Sequence, residues 1–229
     1  MEINKLHINN FDLYHIPNNK FKSFTIGVCF FNPLEEKELS RKSLLSNYLT
    51  KYNEKYPTEK ALTTYLRSLY GMDLYCSYGR NGLVTTMNFI IRSINDKYLS
   101  TDEELLKKAV DVLDLTINKP YFDDKLIDFE KKLLIEDINR LYDNKSQYAT
   151  RRFLDIMLKD EKCRFSSIGT VEDAKAITKE SLTETYNNML NSKHIVYVIG
   201  DISEEKIKDA FSNFHLKDEI SEQLDFIDY

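Results

Sequence analysis

Asn81-Gly82 lies between two stretches dense in strand formers, Met72 to Tyr78 and Leu83 to Ile94. Asn-Gly is the strongest short-range hairpin signal, because both residues tolerate the positive φ that a tight turn demands. Strands joined by so short a turn must run antiparallel. The second stretch alternates through Met87, Phe89 and Ile91, which predicts one buried face. Any fold for this chain must therefore hold an antiparallel pair in its first half.

What surrounds the hairpin sets the class. Phe11 to Ile16 alternates, and Phe24 to Phe31 is rich in aromatic and β-branched residues, so both read as strands, the second ended by Asn32-Pro33. A helix is predicted over about Lys37 to Tyr52, with Leu44, Leu45, Tyr48 and Leu49 at helical spacing. A second helix opens after Pro57 with Thr58 as N-cap and closes at Gly71. Beyond the hairpin the pattern turns helical: Asp102 to Ile117, Asp123 to Leu141, Ser146 to Leu158, and a helix capped by Thr178. His194 to Ile199 is a β-branched run, and Ser203 to Phe214 reads as a last helix. Helices grouped in a block, rather than alternating with strands, predict α+β: a mixed, largely antiparallel sheet with helices packed on it. The expected organisation is one domain over 1–215 and a tail, or the start of a linker, over 216–229.

Hydrophobic residues make up 42% of the 229, enough for a sizeable core; with no Trp, the 15 Tyr and 13 Phe must supply its aromatic packing. The net charge of −5 comes from interleaved Lys and Glu, and no basic stripe with aromatics stands out. Nucleic-acid binding is therefore not expected. Cys29, Cys76 and Cys163 are odd in number and widely spaced, which fits free thiols in a reducing compartment. The start, Met1-Glu2-Ile3-Asn4-Lys5, has no apolar run behind it, and no stretch approaches the roughly 20 apolar residues of a membrane span. The expectation is a cytoplasmic protein with no membrane contact.

Two stretches carry a family resemblance. One is Ser167-Ile168-Gly169-Thr170-Val171-Glu172-Asp173, followed by Ile177-Thr178, Leu182 and Tyr186, and closing with Val196-Tyr197-Val198-Ile199-Gly200-Asp201. The other runs from Lys55-Tyr56-Pro57-Thr58 to Leu66 and Leu69-Tyr70-Gly71. In order and spacing they resemble pitrilysin/insulinase-type metallopeptidases, whose subunits are built from two similar halves. The chain looks like an N-terminal half from a non-catalytic bacterial branch.

The resemblance implies where zinc chemistry belongs. Active members carry H-x-x-E-H on the first helix: two His one turn apart bind zinc, and the Glu between them activates a water. Counting back from Tyr56-Pro57 places those positions at Ser43, Ser46 and Asn47. A distal acidic ligand, counted from Glu130-Lys131, falls at Asp128. Two serines, an Asn and a lone Asp do not hold zinc tightly. The four histidines, His7, His15, His194 and His215, show no i, i+3 or i+4 pair. Neither a metal nor any other cofactor is expected. Glu136 and Asp137 are adjacent on a helix and point apart, Ser43 and Ser46 have no evident base partner in sequence, and Cys76, on a strand, shows no sequence sign of a lowered pKa.

Binding is what remains. In the resembled family a substrate peptide adds as a strand to a sheet edge near the first helix, by β-augmentation. Here that edge corresponds to Met72, Asp73, Leu74, Tyr75, Cys76 and Ser77, which read equally well as one arm of a stable hairpin. The expected function is a zinc-less peptidase-like subunit, or its N-terminal half, inactive alone. It would pair with an H-x-x-E-H-bearing homologue, and as a fragment with its own C-terminal half, and help hold peptide. The alternative is a free-standing peptide-binding or scaffold module.

Overall fold

A computed structural model of the chain describes residues 2–161 and 164–217; Cys163 and the expected tail from 218 onward lie outside the described residues. The strands are β1 (Asn4–Ile8), β2 (Phe11–Ile16), β3 (Ser23–Pro33), β4 (Asp73–Asn81), β5 (Val84–Ile94) and β6 (Lys193–Ile199). They form one sheet in the order β1-β2-β6-β3-β5-β4. β2 and β6 pair in parallel and the other neighbours antiparallel. The helices are α1 (Leu39–Leu49), α2 (Glu59–Ser68), α3 (Leu105–Asn118), α4 (Asp124–Asp143), α5 (Lys145–Met157), α6 (Val171–Lys175), α7 (Lys179–Leu190) and α8 (Glu204–Ala210). The α+β architecture expected from the sequence is the one observed. No helix among the described residues is long and apolar enough to cross a membrane.

Strand alternation sorts the side chains into two layers. Phe24, Ile26, Val28 and Phe30 of β3, Met87, Phe89 and Ile91 of β5, and Val196 and Val198 of β6 point to one face and are buried there. Leu44, Leu45, Tyr48 and Leu49 of α1, Leu106, Ala109 and Leu113 of α3, and Leu182 and Tyr186 of α7 share that core. Truncating a central ring such as Phe89 to Ala would cost about 3–5 kcal/mol. On the opposite face Tyr14, Ile16, Cys29, Phe31, Tyr197 and Ile199 are only partly buried. Gly27 is needed on that face: a Cβ there would meet the Tyr197 ring at 2.1 Å.

Several local expectations change. β1 was not anticipated; its Asn, Lys and His hide a strand in which Leu6 and Ile8 are buried, and Asn9, at φ 51°, makes the turn into β2. The short α6 is not among the predicted helices. The first helix is shorter than 37–52: a 3-10 turn over Glu36–Glu38 precedes α1, which stops at Leu49. Helices α3 and α8 are also shorter than the predicted 102–117 and 203–214. The hairpin turn is Gly82-Leu83, with Asn81 paired to Val84; only Gly82 needs positive φ, 59°. A glycine at the first turn position suits a II′ turn rather than the Asn-Gly I′ turn. Leu216 is buried, and its carbonyl accepts from Asn10 Nδ2 at 2.5 Å, which ties the last described residues to the β1–β2 turn.

Candidate functional site

α1 is wedged among β4, α4, α6 and α7, and most of its side chains are buried, polar ones included. Serines are small enough for this packing and can turn their hydroxyls back on the helix. Ser46 Oγ donates to the Ser43 carbonyl at 2.8 Å, and both residues are buried. Asn47 is exposed, and its Nδ2 reaches the same carbonyl at 3.4 Å. Of the positions counted as a degenerate zinc site, these three share one helix, bonded to their own backbone.

Asp128 does not join them. It is exposed on α4 and bonded to Lys131, one turn along the same helix, at 3.1 Å. The acid that meets the first-helix segment is Glu130. Its carboxylate is 5% exposed and accepts from Lys51 Nζ at 2.9 Å on each oxygen and from the Tyr52 hydroxyl at 2.8 Å. Burial, and then the bond to Glu130, holds the Tyr52 phenol well above its ordinary range. The sequence did carry a signal for Glu130. It sits in the apolar stripe Ile127, Leu134, Ile138 at helical spacing, and a charge inside such a stripe requires a partner.

The histidines are scattered. His7 is exposed beside Asp12, buried His15 bonds the Gly200 carbonyl at 3.2 Å, and His194 leans on Phe30. The described residues bring together no three His, Cys, Asp or Glu that could hold a metal.

β4 is a terminal strand of the sheet. In a two-residue hairpin the flanking pair, Asn81 and Val84, exchanges both backbone bonds. By alternation the N–H and C=O groups of Leu74, Cys76, Tyr78 and Arg80 then point outward, away from β5. Met72 precedes the strand; it is buried, and its N–H is held by the Leu66 and Leu69 carbonyls at the end of α2. Asp73 and Ser77 are exposed, while Leu74, Tyr75 and Cys76 are half-buried. Burial pushes the Cys76 thiol far up and the Cys29 thiol up to about 11, so neither is a ready thiolate nucleophile.

Beside the hairpin end of β4, the Gly169 loop closes on α1. Ser40 Oγ donates to the Thr170 carbonyl and accepts from the Thr170 N–H, both at 3.1 Å. Gly169 has φ +81°, and a Cβ there would lie 2.0 Å from Ser40 Oγ. Thr170 then caps α6. Between this loop, the start of α1, α4 and α5 lies a cavity of about 720 Å³. Arg80, on β4, donates to the Phe165 carbonyl in the cavity wall at 2.6 Å.

No family model matches the chain. It is 25% identical over 210 residues to the probable inactive metalloprotease YmfF of Bacillus subtilis, covering 89% of this chain and 49% of that protein. A conserved protein from Enterococcus faecalis superposes with a TM-score of 0.89 at 24% identity, over 95% of this chain and 53% of that one. A peptidase M16 inactive domain from Pseudomonas fluorescens does so with a TM-score of 0.73 at 12% identity, over 93% of this chain and 50% of that one. The chain thus spans about half the length of the relatives it matches. Along nearly its whole length the chain is similar in sequence to a protein named a probable inactive metalloprotease, it shares the fold of an inactive M16 peptidase domain, and its own sequence carries no H-x-x-E-H.

Proposed function

We propose that this chain is a non-catalytic peptidase-like unit that holds an extended peptide on the β4 edge and works beside a homologue carrying the zinc site. The observation that carries the reading is the pairing of a sheet-edge strand with a helix that carries no His, Cys, Asp or Glu. β4 offers outward backbone donors and acceptors along Leu74 to Arg80, and α1 beside it bears Ser43, Ser46 and Asn47, the positions to which counting within the resembled family assigns H-x-x-E-H. An edge strand binds peptide through main-chain bonds whatever the neighbouring helix carries. Selection on such a unit would keep the edge while letting the ligands drift. The inactive name of YmfF fits the same reading. The stretch of its relatives beyond this chain's match, whether on the same or another chain, would supply the rest of the enclosure.

The test has two arms. Metal analysis of the purified protein, with hydrolysis assays on unstructured peptides, should give no stoichiometric zinc and no cleavage. Affinity capture at native expression level should return an H-x-x-E-H homologue. Zinc-dependent hydrolysis by the protein alone would overturn the non-catalytic reading. Peptide binding without any such homologue would favour the free-standing module.

A further inference from the structure

We propose that the cavity beside the hairpin end of β4 receives an apolar side chain of an acidic peptide whose backbone lies along β4, and so decides which peptides the edge accepts. This rests on the reading of β4 as a peptide edge. The two are joined in space by Arg80, whose guanidinium on the edge strand donates to the Phe165 carbonyl in the cavity wall. A strand laid along β4 past Arg80 arrives beside the opening.

The interior fits an apolar group. Leu39, Ile138, Leu154 and Ile168 contribute to its walls, and about 720 Å³ lies within the roughly 300–1,000 Å³ of small-ligand pockets. One wall is under-packed. α5 is amphipathic, yet none of its residues is buried, and its Tyr148 is 40% exposed. An occupant would give Leu154 the apolar neighbours that an amphipathic helix ordinarily finds in a core.

The charge around the opening selects the sign of the ligand. Arg151 is neutralised by Asp155 at 2.7 Å. Arg164 lies over the Phe165 ring at 4.6 Å and donates to the Lys159 carbonyl, with no carboxylate partner among the described residues. Arg152 is exposed and has no ion pair among them. Glu36 is the other acidic residue of the lining. On a chain of net charge −5, this is a local positive excess next to an apolar hollow. It complements a side chain such as Phe or Leu with a carboxylate one or two residues away.

The experiment is fluorescence anisotropy on the whole 229-residue chain, using a short unstructured fluorescein-labelled peptide with Phe-Glu at its centre. Control peptides carry Ser for Phe, or Lys for Glu. Burying the ring should tighten binding by roughly 10- to 100-fold over the Ser peptide. Leu154→Asp should remove that advantage. Arg152→Glu, at an exposed position that leaves folding intact, should weaken the Phe-Glu peptide by about three- to five-fold and favour the Lys control. Cys76→Pro removes an outward N–H of the edge and should weaken every peptide alike. Equal binding of the Phe and Ser peptides, or no response to Arg152→Glu, would overturn the cavity as selector even if Cys76→Pro abolishes binding and the edge survives. Loss with Leu154→Asp but none with Cys76→Pro would overturn the edge and leave the cavity as the site. No binding by any peptide overturns both.

Discussion

The two ends of the sheet are built differently. β1 is five residues long and studded with polar groups: Lys5 pairs with Asp12 at 2.7 Å, His7 meets the same carboxylate, and Asn4 reaches Glu204. Short length and charge are the ordinary means by which a protein blunts an unpaired edge. β4 is nine residues long, and between Asp73 at its start and Arg80 near its end it carries no charge. A long uncharged edge invites pairing, and its contrast with the guarded edge at the other end of the sheet motivates the proposed use. The comparison also explains why α1 matters without catalytic residues, since it backs β4 and the Lys51–Glu130 pair ties the chain just beyond it to α4.

Breaking that tie is the largest expected effect. Glu130→Ala strands the Lys51 ammonium and the Tyr52 hydroxyl, and should lower unfolding stability by roughly 3 kcal/mol, read as a lower urea midpoint. A drop no larger than that of an exposed pair would show that the cluster does not hold α1. Next comes the edge itself. Cys76→Pro should weaken peptide binding at least about tenfold relative to Cys76→Ala, the control for losing the thiol. Lys5→Pro removes an outward N–H from the guarded edge and should leave binding as it was. Equal effects at the two edges would erase the distinction between them.

A smaller effect belongs to three groups shielded from water on the two faces of the sheet, Cys29 on one and Tyr48 and Tyr186 on the other. Burial lifts Cys29 from about 9 to about 11, and Tyr48 and Tyr186 from about 10 to about 12. Each group has a higher pKa folded than unfolded, so the fold favours the protonated form. That stability is whole below about pH 9 and is lost as pH rises through 9 to 12. Denaturation midpoints should be flat from pH 7 to 9 and fall above; a flat profile to pH 12 would contradict the burial of these groups. Smallest of all, Lys5→Ala should leave the melting temperature unchanged, because the Lys5–Asp12 pair lies at the solvent-exposed surface.

The sequence disclosed elements wherever burial writes a period: β3, β5, β6, α2 and α7 fell close to their predicted positions. It hid β1, where polar residues on the outward positions mask two buried ones. It misplaced the first-helix boundaries because α1 is buried nearly all round, serines included, and so has little amphipathic contrast. The missing histidine pair needed no structure to be seen. The buried acid that meets the first-helix segment did, because counting addressed only the distal-ligand position, Asp128, and said nothing of Glu130, the charge that falls on the apolar stripe.

The contact at Gly169 has a mechanical consequence. With no room for even one carbon between the loop and Ser40, and both Thr170 backbone groups bonded to that serine, the two segments have no slack between them. A displacement of the loop by something entering the cavity would be delivered to the first turn of α1 undiminished, and from there to the strand it backs. Gly169→Ala would pry that joint open and let each side shift on its own.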